Sequence, residues 1–198
     1  MSRVPFVGLT GALGAGKSTA LAALERLGAA TLCTDAVVHQ LYATAQLRDA
    51  VVERWGEAVA PDGAVDRNAV AERVFASALE REWLESEIWP LVGARVRAWL
   101  DEIAARDPPP RAAVVETPLL FEAGMEGTYD ATIAVVADED VRAQRAGARG
   151  HVGAGERAAR HLSQQEKARR ATFTVDNSGS VEDLERVLSS VLDRLRST

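Results

Sequence analysis

Eight residues near the start of the chain, Gly11-Ala12-Leu13-Gly14-Ala15-Gly16-Lys17-Ser18, fit the pattern G-x-x-x-x-G-K-[ST]. The pattern suits the binding of a nucleoside triphosphate. Glycines let backbone N–H groups converge on phosphate oxygens without interference from a Cβ. A helix opening directly after the loop adds unpaired N–H groups and the positive end of its dipole. Lys17 has the reach for the β and γ phosphates, and the Ser18 hydroxyl suits Mg²⁺. Composition alone would give such a match in roughly one chain in a thousand. Lys17 and Lys167 are the only lysines among 23 basic residues, so a lysine inside a motif is a stronger signal here than usual.

A phosphate loop names a ligand and not a reaction. A GTPase should carry Asn-Lys-x-Asp, but neither asparagine, Asn68 or Asn177, is followed by lysine. A motor ATPase should show an apolar strand ending in Asp-Glu, and Val114-Val115-Glu116-Thr117 is a weak approach to that. A small-molecule kinase needs an acid near the acceptor hydroxyl, a substrate lobe and cations over the moving phosphoryl group. Asp35 is the candidate acid, just past the second strand, on the edge where open α/β sheets bind ligands. The alternative role for it is a helix cap.

The candidate cations lie in residues 142–170. That stretch carries +6 in a chain whose formal charge is −6, so the remainder sums to −12. Arg142, Arg145 and Arg149 recur at helical spacing. Gly147, Gly150, Gly153 and Gly155 suggest a hinged segment, a lid that closes arginines over ATP. An RNA-binding patch is the competing reading; the absence of interleaved aromatics weakens it, as does the acidic remainder.

These groups need a scaffold that converges them. Val4 to Leu9 reads as a buried strand, Ser18 to Leu27 as a helix stopped by Gly28, and Ala29 to Cys33 as a second strand. This β-α-β start predicts a parallel sheet with helices on its faces. Thr34 or Asp35 could cap the next helix, from Ala36 onward. Residues 45–107 read as helical, with helices over Val70 to Leu79 and Trp83 to Leu100 and an interruption at Pro90. Ala112 to Val115, Ala131 to Ala137 and Thr172 to Val175 are further strands, and Val181 to Leu195 is a closing amphipathic helix. Trp55, Trp83, Trp89 and Trp99 read as helix packing rather than a base clamp.

At 198 residues, 47% apolar and 26% charged, the composition is that of one ordinary globular domain. The single cysteine, Cys33, allows no internal disulfide, so a cytoplasmic protein is expected. Net negative charge disfavours non-specific nucleic-acid binding, and no apolar run is long enough for a membrane span.

The sequence resembles dephospho-CoA kinases along nearly its whole length. Gly8-Leu9-Thr10-Gly11 leading into Gly16-Lys17-Ser18-Thr19 is similar to the opening of that family. Thr34-Asp35-Ala36 with His39 resembles its second-strand acid segment. Gly56, Asp62-Gly63, Asp66-Arg67 and Val74-Phe75 resemble its helical substrate region. Pro118-Leu119-Leu120-Phe121-Glu122 is the most distinctive piece. Gln144-Arg145 with Arg149, then Arg160, Gln164, Lys167 and Asn177-Ser178-Gly179, resemble its lid and last strand. Cys33 stands at a common aspartate, Trp89 at a frequent histidine and Thr172 at another usual aspartate.

The resemblance implies an α/β, three-layer P-loop kinase core with a five-stranded parallel sheet, a helical substrate lobe at about 45–110 and an arginine-rich lid at about 142–170. It implies phosphorylation of the 3′-hydroxyl of dephospho-CoA by ATP with Mg²⁺, in a monomer. The catalytic residues would be Lys17, Asp35, Arg145 and Arg149. Gly11, Gly14, Ala15, Gly16, Lys17, Ser18, Thr19 and Asn177 would hold the nucleotide, and Ser18 the metal. Asp35, His39, Leu119, Leu120, Phe121 and Glu122 would meet the acceptor, the apolar three as a shelf with Glu122 at its rim. Glu116 could touch the metal's water shell.

Overall fold

The computed structural model describes residues 3–147 and 162–196. The chain divides into two compact units, Met1–Cys33 with Glu102–Thr198, and Thr34–Asp101.

The first unit is built on a five-stranded sheet in the order β2-β3-β1-β4-β5. Its strands are β1 (Phe6–Gly11), β2 (Ala30–Cys33), β3 (Ala113–Glu116), β4 (Ala131–Val136) and β5 (Phe173–Asp176). Every pairing is parallel, so all the strands end on one edge. That edge carries Gly11, Cys33, Glu116, Val136 and Asp176, with Glu116 in register with Leu9 on one side and Cys33 on the other.

Alternation along β1 sorts its two faces. Val7 and Leu9 are fully buried in a core shared with α1 (Lys17–Arg26) and the closing helix Val181–Arg196. The other face carries Phe6, Gly8 and Thr10. Phe6 packs on Tyr129 with ring centres 4.8 Å apart. Gly8 lies so close under Leu120 and Tyr129 that a Cβ there would come within 2.5 Å of Leu120. The loop between β3 and β4 therefore roofs this face of the sheet.

The closing helix places Leu184, Leu188, Val191 and Leu192 in the core at helical spacing. At the opposite edge, Thr132 and Thr172 exchange hydrogen bonds. Each backbone N–H donates to the other's Oγ1 at 3.0 Å, tying the starts of β4 and β5 together.

The second unit holds α2 (Thr34–Leu41), α3 (Ala45–Trp55), α4 (Arg67–Ala76) and most of α5 (Ala78–Ala104). Asp66 caps α4 by accepting from the N–H groups of Asn68 and Ala69. Helix α2 opens directly after β2, so Thr34 and Asp35 stand in its first turn rather than before it. Ser77 breaks the expected Val70–Leu79 helix. The expected interruption at Pro90 does not occur. Leu84, Ile88 and Val92, four residues apart, all pack into this unit's core and carry α5 through the proline, outweighing a local cost of about 3 kcal/mol. Trp55 and Trp83 meet edge to face at 4.9 Å. Arg54 and Trp55 both donate to Glu80, and those bonds hold its carboxyl below the usual range.

Candidate active site

The phosphate loop leaves β1 at Gly11 and enters α1 at Lys17. Gly14 and Gly16 have φ of 78° and 87°, left-handed backbone that a side chain resists. No side chain caps α1, and its first turn holds no acidic residue, so the helix's own first turn leaves its positive end uncompensated. Lys17 folds back over the loop, with Nζ donating to the Gly11 carbonyl at 3.2 Å.

Protein packs the loop closely from outside. A Cβ on Gly14 would approach the carbonyl oxygen of Arg142 to 2.4 Å, and one on Gly16 would approach Nδ2 of Asn177 to 2.0 Å. The glycines are thus required both by the loop's own backbone and by what supports it. Asn177, just past β5, is 3% exposed. Its Nδ2 donates to the Ala15 carbonyl at 2.9 Å, and its backbone N–H donates to Val136. The side chain assigned to nucleotide binding is therefore spent on the loop itself.

Helix α6 (Glu139–Gly147) lies against the same loop. Arg142 Nε donates to the Leu13 carbonyl at 3.1 Å, and Arg145 Nη1 to the Asn177 carbonyl at 3.0 Å. Two of the expected lid arginines thus gather at the phosphate loop. Arg149 lies outside the described residues, as do Arg157 and Arg160.

The described end of the expected lid behaves otherwise. Helix α7 (Gln164–Arg170) is fixed to the sheet. Gln164 clamps Ala137, accepting from its N–H and donating to its carbonyl, both at 2.9 Å. Lys167 is not a surface cation; it is 0% exposed. Its ammonium donates to the Pro118 carbonyl at 2.7 Å and to Thr10 Oγ1 at 3.4 Å, and pairs with Glu122 at 2.8 Å.

That pairing relocates Glu122. Its carboxylate also accepts from the Leu162 N–H at 2.8 Å. Burial pushes the carboxyl up, but bonds from Lys167 and from backbone N–H groups outweigh that and hold it below the usual range. Leu120 and Phe121 are also interior, 0% and 2% exposed, so they pack under the loop; Leu119 alone of the three is half-buried. The expected apolar shelf is not an open surface. Arg170 stands 5.0 Å over the Phe121 ring.

Sequence reasoning missed Lys167 as a buried charge and Thr10 as its partner. A usable signal was present: where arginine serves almost every basic position, a retained lysine marks a place only a compact ammonium fits.

In the second unit, Asp35 and His39 are exposed one turn apart on α2, Asp35 two residues beyond the end of β2. Arg67 Nη1 lies 2.6 Å from His39 Nδ1; the guanidinium can only donate, so Nδ1 accepts and the remaining proton sits on Nε2.

The described residues contain no cluster of three or more His, Cys, Asp or Glu able to hold a metal. A magnesium ion bound mainly through phosphates and water needs no such cage; Ser18 carries a hydroxyl in the first turn of α1. None of the described helices is long and apolar enough to cross a membrane.

A sequence profile of the dephospho-CoA kinase family matches residues 5–183. The dephospho-CoA kinase of Deinococcus radiodurans is 38% identical, over 97% of this chain and 93% of its own. That of Synechococcus sp. (strain JA-3-3Ab) is 37% identical, over 94% and 91%. A solved structure from Thermus thermophilus is 34% identical, covers 98% of this chain and 99% of its own, and superposes with a TM-score of 0.77. A dephospho-CoA kinase from Campylobacter jejuni shares the fold at 21% identity and a TM-score of 0.68. The likeness runs well beyond the phosphate loop that many kinases have in common, and its extent decides the family: the chain belongs to the dephospho-CoA kinases.

Proposed function

We propose that the protein transfers the γ-phosphoryl group of ATP to the 3′-hydroxyl of dephospho-CoA, giving coenzyme A and ADP. The observation that carries this is the phosphate loop at the carboxyl edge of the sheet, with Lys17 folded over it and Arg142 and Arg145 resting on it. In this reading Lys17 and the N–H groups of α1 hold the phosphates, and Arg145 balances the charge that spreads over the transferring group. Asp35 orients the acceptor hydroxyl and receives its proton as the new P–O bond forms and the β–γ bridging bond breaks. Magnesium, when bound, neutralises phosphate charge, and Ser18 is its ligand from the chain. The helical unit Thr34–Asp101, with Asp35, His39 and Arg67, serves as the acceptor lobe. The protein works as a cytoplasmic monomer.

The test is direct. Purified protein is incubated with ATP, Mg²⁺ and dephospho-CoA, and coenzyme A is sought by mass. Formation of coenzyme A dependent on all three supports the reading. Phosphorylation of a nucleoside or sugar instead, or none at all, overturns it.

A further inference from the structure

Lys167 is a fully buried lysine in a chain that otherwise uses arginine almost throughout. Burying an ammonium costs several kcal/mol unless pairing and hydrogen bonds offset it, and an apolar side chain of similar size often stabilises as well or better. Its retention therefore asks for a role. Docking of α7 is not that role, because Gln164 already clamps the helix to Ala137 through two bonds.

The geometry points to a positioning function, resting on the proposed kinase activity and on the acceptor meeting this loop at its half-buried residues, Pro118 and Leu119. We propose that Lys167 fixes the Pro118–Glu122 segment against the strand that feeds the phosphate loop, and so sets where the acceptor is held relative to the phosphoryl donor. An ammonium has three N–H groups, and here they reach two points of the β3–β4 loop and one on β1. One meets the Pro118 carbonyl, at the start of the β3–β4 loop. A second meets the Glu122 carboxylate, farther along that loop. The third meets Thr10 Oγ1, one residue before Gly11. Thr10 also donates to Pro118 at 3.1 Å, closing the ring of contacts. A methionine could fill this space but could not aim three bonds at three places. Lys167 meets no substrate; it acts through the loop it holds.

The experiment compares the wild type with Glu122→Gln and with the double variant Lys167→Met/Glu122→Gln. The double variant leaves no unpaired buried charge and keeps an acceptor for the Leu162 N–H. ATP binding, thermal melting and steady-state constants for each substrate are measured on each preparation. The expected double variant melts near the wild type and binds ATP within about twofold, while kcat/KM for dephospho-CoA falls about 10–100-fold. A well-folded double variant with wild-type kcat/KM overturns the proposal and leaves the network purely structural. If the double variant does not fold, Glu122→Gln decides: a loss confined to the acceptor's constants supports positioning, and equal losses for both substrates, or none, overturn it. A wild type that makes no coenzyme A overturns the acceptor reading itself, and the wild-type measurement shows that separately.

Discussion

The side-chain amide of Asn177 donates to the carbonyl of Ala15 across 162 residues of sequence, at 2.9 Å. The loop that cradles phosphate is thus held from behind by the end of the last strand. Asn177→Asp keeps the shape but turns an oxygen toward the Ala15 carbonyl, or a charge if ionised. ATP affinity should fall about tenfold, the scale of a buried carbonyl losing its donor and meeting repulsion. Calorimetric titration checks this; unchanged affinity would mean that the loop holds its form without Asn177.

Lys17→Ala removes the cation folded over the loop. Turnover should fall by about 10²–10³. Melting should stay within about two degrees, since the loop is shaped by its glycines and braced by Asn177. Near-normal turnover would remove the phosphate-loop assignment.

Arg145→Ala should lower kcat more than it weakens ATP binding, because the charge on the transferring group is greatest at the transition state. Arg145→Lys should recover only part of the rate, since a lysine lacks the planar fork that bonds the Asn177 carbonyl. Salt-sensitive RNA binding abolished by these changes, with no kinase defect, would favour a nucleic-acid role for α6.

Asp35→Asn retains one acceptor oxygen and loses the charge. Turnover should drop by about 10², the low end for a positioned base, because phosphoryl transfer is largely dissociative. ATP affinity and melting should be nearly unchanged. Undiminished coenzyme A formation would reduce Asp35 to a favourable charge in the first turn of α2.

Glu122 gives a pH signature. Its carboxyl is held below the ordinary glutamate value, near 4.3, in the folded chain. A depressed folded pKa contributes stability that is fully present above the unfolded value and is lost as pH falls through the folded one. The melting difference between wild type and Glu122→Gln should therefore be largest near neutrality and shrink below about pH 4. A difference independent of pH would separate Glu122 from that linkage.

The inner strands β1, β3 and β4 were legible because strands buried on both faces read as near-continuous apolar runs. Each lies within two residues of where the runs place it. The phosphate loop was legible because its chemistry is local. The long helix α5 was not, since its passage through Pro90 is decided by Leu84, Ile88 and Val92 meeting a core assembled from α3 and α4. Nor was the Lys167–Glu122 pair, whose members stand 45 residues apart and look like two solvated charges until the fold brings them together. Thr172, where the resemblance leads one to expect an aspartate, has its reason only in Thr132 on the neighbouring strand.

The strand order has a consequence for the nascent chain. β1 and β2 are never neighbours; β3 lies between them and pairs with both. Through synthesis of the first 112 residues, two strands exist and neither has a native edge to join. The helical unit Thr34–Asp101 is complete by then and has its own core to collapse on. Emergence of Ala113–Glu116 supplies in one step the partner that both earlier strands lack, so four residues midway along the chain set the moment at which the nucleotide-binding half can begin to close.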